Sequence, residues 1–136
     1  KSNEIIKFKN NGLNNVDALN NKNEYPNGEY QISCYIPIES EYRCFISNGK
    51  LCGIKNYSGN FEIFPNMKII HEIIDKYDKT NLAPIAYTLD VGINNSDTFI
   101  IECHDFFSCG LYGFSDYNRL PFMFSQWWNK FKINNK

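Results

Sequence analysis

Two alternating runs meeting at Asn48-Gly49 constrain this chain more than any other feature. "EYRCFIS" before the pair and "KLCGIKNY" after it are rich in β-formers. Asn-Gly supplies two successive residues that accept positive φ, which is what a two-residue hairpin requires. A second pair of β-rich runs, "APIAYTLDVG" and "DTFIIECHD", flanks the polar "INNS" and predicts another hairpin. Alternation in "YQISCYIPI" predicts a further strand over residues 30–38.

Helical spacing is confined to two stretches. "NMKIIHEIIDKYD" places Met67, Ile70, Ile73, Ile74 and Tyr77 on one face, with Lys68, Glu72, Asp75 and Lys76 on the other arc. His71 lies near the apolar boundary and is read as a structural histidine. "RLPFMFSQWWNKFK" predicts a helix starting near Pro121 that buries Phe124, Trp127, Trp128 and Phe131 in part. Residues 1–29 are Asn-rich, with an extended piece expected only near residues 5–8. The expected fold is α+β: a mainly antiparallel sheet with about two helices covering one face. It forms a single domain over 1–136, with 1–29 a partial lid or linker and 30–136 the core.

The totals exclude several function classes. With 136 residues and a formal net charge of −1, the chain offers one core and no global attraction for nucleic acid or an anionic membrane. No run of about 18 apolar residues could span a bilayer, and no signal-peptide pattern opens the chain. Cys34, Cys44, Cys52, Cys103 and Cys109 are odd in number and form no CxxC pair. They read as reduced, strand-embedded small hydrophobes in a reducing, cytoplasmic setting, with a zinc site through His71 or His104 the minor alternative. The chain starts at Lys1 without an initiating Met, and is expected to be a fragment or C-terminal half of a longer protein.

The second hairpin carries the chemistry. A turn centred near Ser96 puts Asp90 opposite Glu102. Thr88, Asp90, Glu102 and His104 then share one face, and Leu89, Val91, Ile101 and Cys103 the other. Directly opposed carboxylates repel, so such a pair needs a positive partner: Arg, Lys, a shared proton or a divalent cation. Two carboxylates and a third N or O donor suit magnesium, while a merely solvated acidic face is the bland alternative. Arg43, on an alternating strand beside Glu41 and Phe45, is suited either to a carboxylate or to a phosphate.

In order and spacing these segments resemble the C-terminal half of an ATP-grasp enzyme, in the small clade named for one arginine and two lysines. The likeness runs from Lys1 to about Trp128. "KSNEIIKFKNNGL" resembles the lysine-bearing strand, and "IPIESEYRCFISNGKLCGIKNY" the acid-x-Arg strand with its hairpin. "YTLDVG" and "FIIECHDFFSCGLYGF" resemble the Asp strand and the Glu-x-Asn strand running into Gly-Leu-Tyr-Gly.

The resemblance implies ATP gripped between two α+β subdomains, with magnesium bridging its phosphates to Asp90 and Glu102. His104 stands where the family has Asn, a departure that turns this side chain towards phosphate, substrate or manganese. Arg43 would meet the terminal phosphate or an acyl-phosphate intermediate. Lys1 and Lys7 would meet nucleotide phosphates, and so more weakly would Lys55, which alternation from the turn places on the face opposite Arg43. Phe106, Phe107, Leu111, Tyr112 and Phe114 would pack the loop onto the C-terminal helix, with Gly110 and Gly113 allowing tight turns. The implied reaction is ligation of a carboxylate substrate to an amine acceptor. The alternatives are a degenerate, non-catalytic module of the same fold, or an unrelated metal-dependent hydrolase using Asp90, Glu102, His104 and Asp105.

Overall fold

The computed structural model describes residues 36–134. Lys1, Lys7, Cys34, the piece at 5–8 and most of the strand expected over 30–38 lie outside those residues, and 36–38 have no regular structure. Strands β1 (Ser40–Ser47) and β2 (Lys50–Gly59) form the first hairpin, closed by Asn48 and Gly49 at φ 50° and 67°. Strands β3 (Ala86–Asn94) and β4 (Asp97–Asp105) form the second. Its turn is Asn95-Ser96, with φ 49° and 72°. The four strands make one antiparallel sheet in the order β2-β1-β3-β4.

Helix α1 (Met67–Lys79) covers one face of the sheet. Its Ile70 and Ile74 are buried against Tyr42, Cys44 and Ile46 of β1 and Tyr87, Leu89, Val91 and Ile93 of β3. Met67, Ile73 and Tyr77 pack at the edge of that cluster, so the apolar stripe read from the sequence is the stripe used. His71, however, is exposed: it falls on the solvent arc and is no structural core histidine. The side chain of Asn66 caps the helix by accepting from Lys68 N at 3.0 Å, while Asn66 N donates to Thr98 Oγ1 at 2.8 Å. Asn66→Ala should therefore lower stability by about 1 kcal/mol in a urea melt, while a cost under a few tenths would mean that the cap is dispensable.

Helix α2 (Leu120–Asn134) does not share α1's face. Alternation along β1 points Phe45 away from Cys44 and Ile46, and Phe45 clusters with Ala86, Phe106, Phe114, Leu120 and Met123. The two helices thus take opposite faces, correcting the expectation that they cover one. Leu120 and Met123 anchor α2, while Phe124 and Trp128 stay partly exposed; the side chains of Trp127 and Phe131 lie outside the description. A short 3-10 turn, Phe106–Ser108, leads from β4 towards this cluster. Phe45 and Phe114 stack at 4.2 Å and 7°. Gly53 makes room for this, since a Cβ there would run into the Phe114 ring.

Three register shifts interrupt the two hairpins. Those at Ile101 and Cys52 decide on which face Glu102 and Lys55 fall. The third, between Glu41 and Tyr42, leaves Tyr57 as an extra residue. In the second hairpin Val91 pairs with Ile100 but Asp90 pairs with Glu102, leaving Ile101 as the extra residue. The turn is tighter than a centre at Ser96 implies, and the bulge restores the predicted Asp90–Glu102 pairing. Its cost is Ile101, whose Cδ1 lies 3.3 Å from where a Cβ on Gly92 would stand, on the Asp90 face rather than the α1 face. In the first hairpin Ile46 pairs with Leu51 but Phe45 with Gly53, so Cys52 is extra. That shift pairs Arg43 with Lys55.

Candidate functional site

Three neighbouring strands put the polar residues together at the part of the second face beside the α2 cluster. Arg43 of β1 pairs in register with Asp90 of β3, and Asp90 with Glu102 of β4. His104 lies two residues further along β4, opposite Thr88. The sheet is the scaffold, so the side chains are fixed by register, not by a mobile loop.

Arg43 and Asp90 form a fork-to-fork ion pair. Arg43 Nε donates to Asp90 Oδ1 at 2.7 Å and Nη2 to Oδ2 at 2.6 Å. The third nitrogen, Nη1, donates to the carbonyl of Gly110 at 3.2 Å. Both residues are buried, at 5% and 1% exposure. The bond to Asp90 raises the guanidinium above its usual pKa, against a burial effect that lowers it. Its cation stands 5.0 Å from the centroid of Tyr112 and 5.6 Å from that of Tyr57, and those two rings stack at 5.1 Å. Tyr57 Oη donates to Glu41 Oε2 at 2.7 Å. Burial, with the neighbouring carboxylates adding to it, holds the Tyr57 phenol well above its ordinary pKa.

The expected repulsion between Asp90 and Glu102 is answered by a positive partner on the Asp90 side. Asp90 has Arg43, and Glu102 Oε1 lies 2.8 Å from His104 Nε2. Asp90, Glu102 and His104 each offer one ligand atom, all within 4.8 Å of one another. About 4.2 Å separates ligands across a magnesium ion, so this donor set fits a divalent cation after small movements of the half-exposed Glu102 and His104. Arg43 uses one acceptor site on each Asp90 oxygen, and a carboxylate has about four. Two oxygens and one imidazole nitrogen suit manganese at least as well as magnesium.

Other sequence-predicted residues are distributed as follows. Lys55 is half-buried and, as the cross-strand partner of Arg43, on its face, not on the opposite one. The Cys52 bulge is the reason. Asp105 pairs with Tyr87 and so turns to the α1 face, outside the Asp90 group. Phe106, Leu111 and Phe114 do pack towards α2, and Phe107, though 57% exposed, lies against Trp128 of α2 at 6.4 Å, while Tyr112 folds over Arg43 instead. Neither Tyr57 nor Tyr112 was singled out for this site by sequence reasoning. The "GLYG" context of Tyr112 was the available signal, and Tyr57 had none before the bulges were seen.

The four described cysteines are free thiols, and none joins the Asp90 group. Burial pushes Cys44 up to about 12 and raises Cys109 as well, so these thiols stay protonated near neutrality. Among the described residues no helix is long and apolar enough to cross a membrane.

A four-stranded antiparallel sheet with a helix on each face is an α+β fold consistent with an ATP-grasp domain. More narrowly, the chain belongs to family 2 of the ATP-grasp clade named for one arginine and two lysines, whose model matches residues 2–120. No curated protein matches it. Among solved structures, C-terminally truncated Cdc123 from Schizosaccharomyces pombe is similar at 20% identity and a TM-score of 0.48, over 64% of this chain and 37% of that one. Cdc123 from the same organism is similar at 18% identity and 0.48, over 78% of this chain and 48% of that one. The chain thus spans less than half the length of either protein.

Proposed function

We propose that this chain is the magnesium-dependent ATP-binding part of a ligase that joins a carboxylate substrate to an amine through an acyl phosphate. The observation that carries this reading is the buried Arg43–Asp90 pair set one strand from Glu102 and His104. A guanidinium oriented by Asp90, with Nη1 held only by a backbone carbonyl, and a donor set of cation-binding type lie there side by side.

In this reading Asp90 orients the guanidinium, and Arg43 binds the terminal phosphate oxygens as charge shifts onto them. Lys55, on the same face, adds a second positive charge for the phosphates. Lys1 and Lys7 are the further nucleotide contacts that the family resemblance assigns. Asp90, Glu102 and His104 would hold the cation, magnesium or manganese, which when bound neutralises phosphate charge. Positioning and electrostatics account for such chemistry, and no general base is assigned among these residues.

The test is calorimetric titration of magnesium-ADP and then magnesium-ATP into the chain. Metal-dependent binding is expected, weakened at least about ten-fold (~1.4 kcal/mol) in a Glu102→Gln, His104→Ala variant. A His104→Asn variant should retain magnesium-dependent binding and lose any preference for manganese. Equal binding by wild type and the double variant would remove the cation site. Binding without acyl-phosphate formation in the longest natural version of the protein would point to a module that has kept the fold and lost the chemistry.

A further inference from the structure

Arg43 is bonded at each of its three guanidinium nitrogens, and its contacts are of two kinds. Asp90 takes the Nε–Nη2 edge from within the sheet. Gly110 O takes Nη1 from the loop after β4, and the ring of Tyr112, from the same loop, lies on the cation. Without that loop Nη1 would lose its acceptor, while Asp90 keeps the Nε–Nη2 edge. With it, Arg43 is 5% exposed.

The two aromatic neighbours differ in how firmly they are held. Tyr57 stands on β2 and is tied by its hydroxyl to Glu41. Tyr112 is 49% exposed and stands at φ 46°, a left-handed conformation costly for an aromatic residue, just before Gly113 at φ 78°. Its ring folds back to 3.0 Å from where a Cβ on Gly110 would lie, so a side chain at 110 would need the ring to give by a few tenths of an ångström. Tyr57 is a wall and Tyr112 a cover.

We propose that Tyr112 is a positioning residue for Arg43: its ring, seated on Tyr57, holds the guanidinium on Asp90 and shields it until a phosphate chain displaces the Gly110–Tyr112 segment. The ligand class, a polyphosphate, rests on the nucleotide-binding reading above. The cover itself does not. Nη1 is the donor released first, because its acceptor is a loop carbonyl at 3.2 Å while the Asp90 contacts are shorter and charged.

The chain has two arginines, and Arg119 is exposed on the surface, so it serves as an internal reference. Phenylglyoxal modification, followed by peptide mass spectrometry, reads both in one experiment without nucleotide. In the wild-type chain Arg43 should react at least roughly ten-fold more slowly than Arg119, as expected of a group reached only by local opening. Tyr112→Gly removes the ring and suits the left-handed backbone, so the fold should survive, as circular dichroism can check. It should raise the Arg43 rate at least about five-fold and leave Arg119 unchanged, while Tyr112→Phe restores wild-type protection. An Arg43 rate unaltered by Tyr112→Gly, or equal to that of Arg119 in the wild type, overturns the cover. Adding tripolyphosphate to the glycine variant tests the other reading separately. Protection of Arg43 supports a phosphate ligand, and unprotected Arg43 removes the phosphate while leaving the cover in place.

Discussion

Asp90→Asn is expected to destabilise the domain by about 3–5 kcal/mol, because it strands the buried Arg43 cation without its counter-charge. For a chain of this size that lowers Tm by more than about 10 °C. The loss should belong to the broken pair and not to the pair as such. Replacing both partners with apolar residues, Arg43→Met with Asp90→Leu, should recover most of it, since the desolvation of two charges offsets much of their attraction. Urea melts of the single and double variants form the test. A single-variant cost near 1 kcal/mol would mean that Arg43 escapes to solvent, as a surface pair would. The double variant would still lose any phosphate binding, which separates the stabilising role of the pair from its proposed chemical one.

Phe45→Ala should cost a similar amount, about 3–5 kcal/mol, through a cavity at the centre of the second core cluster. Phe45 is fully buried, stacked on Phe114 and edge-on to Phe106 at 6.4 Å and 74°. Its loss removes the surface on which Leu120 and Met123 anchor α2. Both tryptophans lie in α2, so their fluorescence should report the helix loosening in the same melt. Phe45→Leu keeps most of the volume and should cost less than about 1.5 kcal/mol. A Phe45→Ala variant that loses under about 1 kcal/mol would show that α2 is held by something other than this cluster.

Much of the hairpin architecture was legible because its signals are local. Asn48-Gly49 closes a turn by its own φ preference, and the stripe from Met67 to Tyr77 buries itself wherever a sheet is offered. The Asp90–Glu102 pairing was read correctly, yet by a turn that is half a step too wide. The bulge at Ile101 compensates for the tighter Asn95-Ser96 turn. The bulge at Cys52 has no such compensation and moves Lys55 to the face of Arg43. A bulge inserts one residue and reverses every later facing, and nothing in a single strand's sequence marks where it falls.

Sequence alone determined the strand-rich α+β character, the two hairpins, the acidic pair and the family resemblance, since each depends on residues near one another or on their order. The tertiary structure decided what Arg43 does. Its partner Asp90 is 47 residues away, its cover Tyr112 sits in a loop whose backbone turns left-handed, and the helices on opposite faces leave this part of the sheet to the polar residues. Those are long-range choices of register and packing, made by burial across the sheet and not by the preference of any one segment.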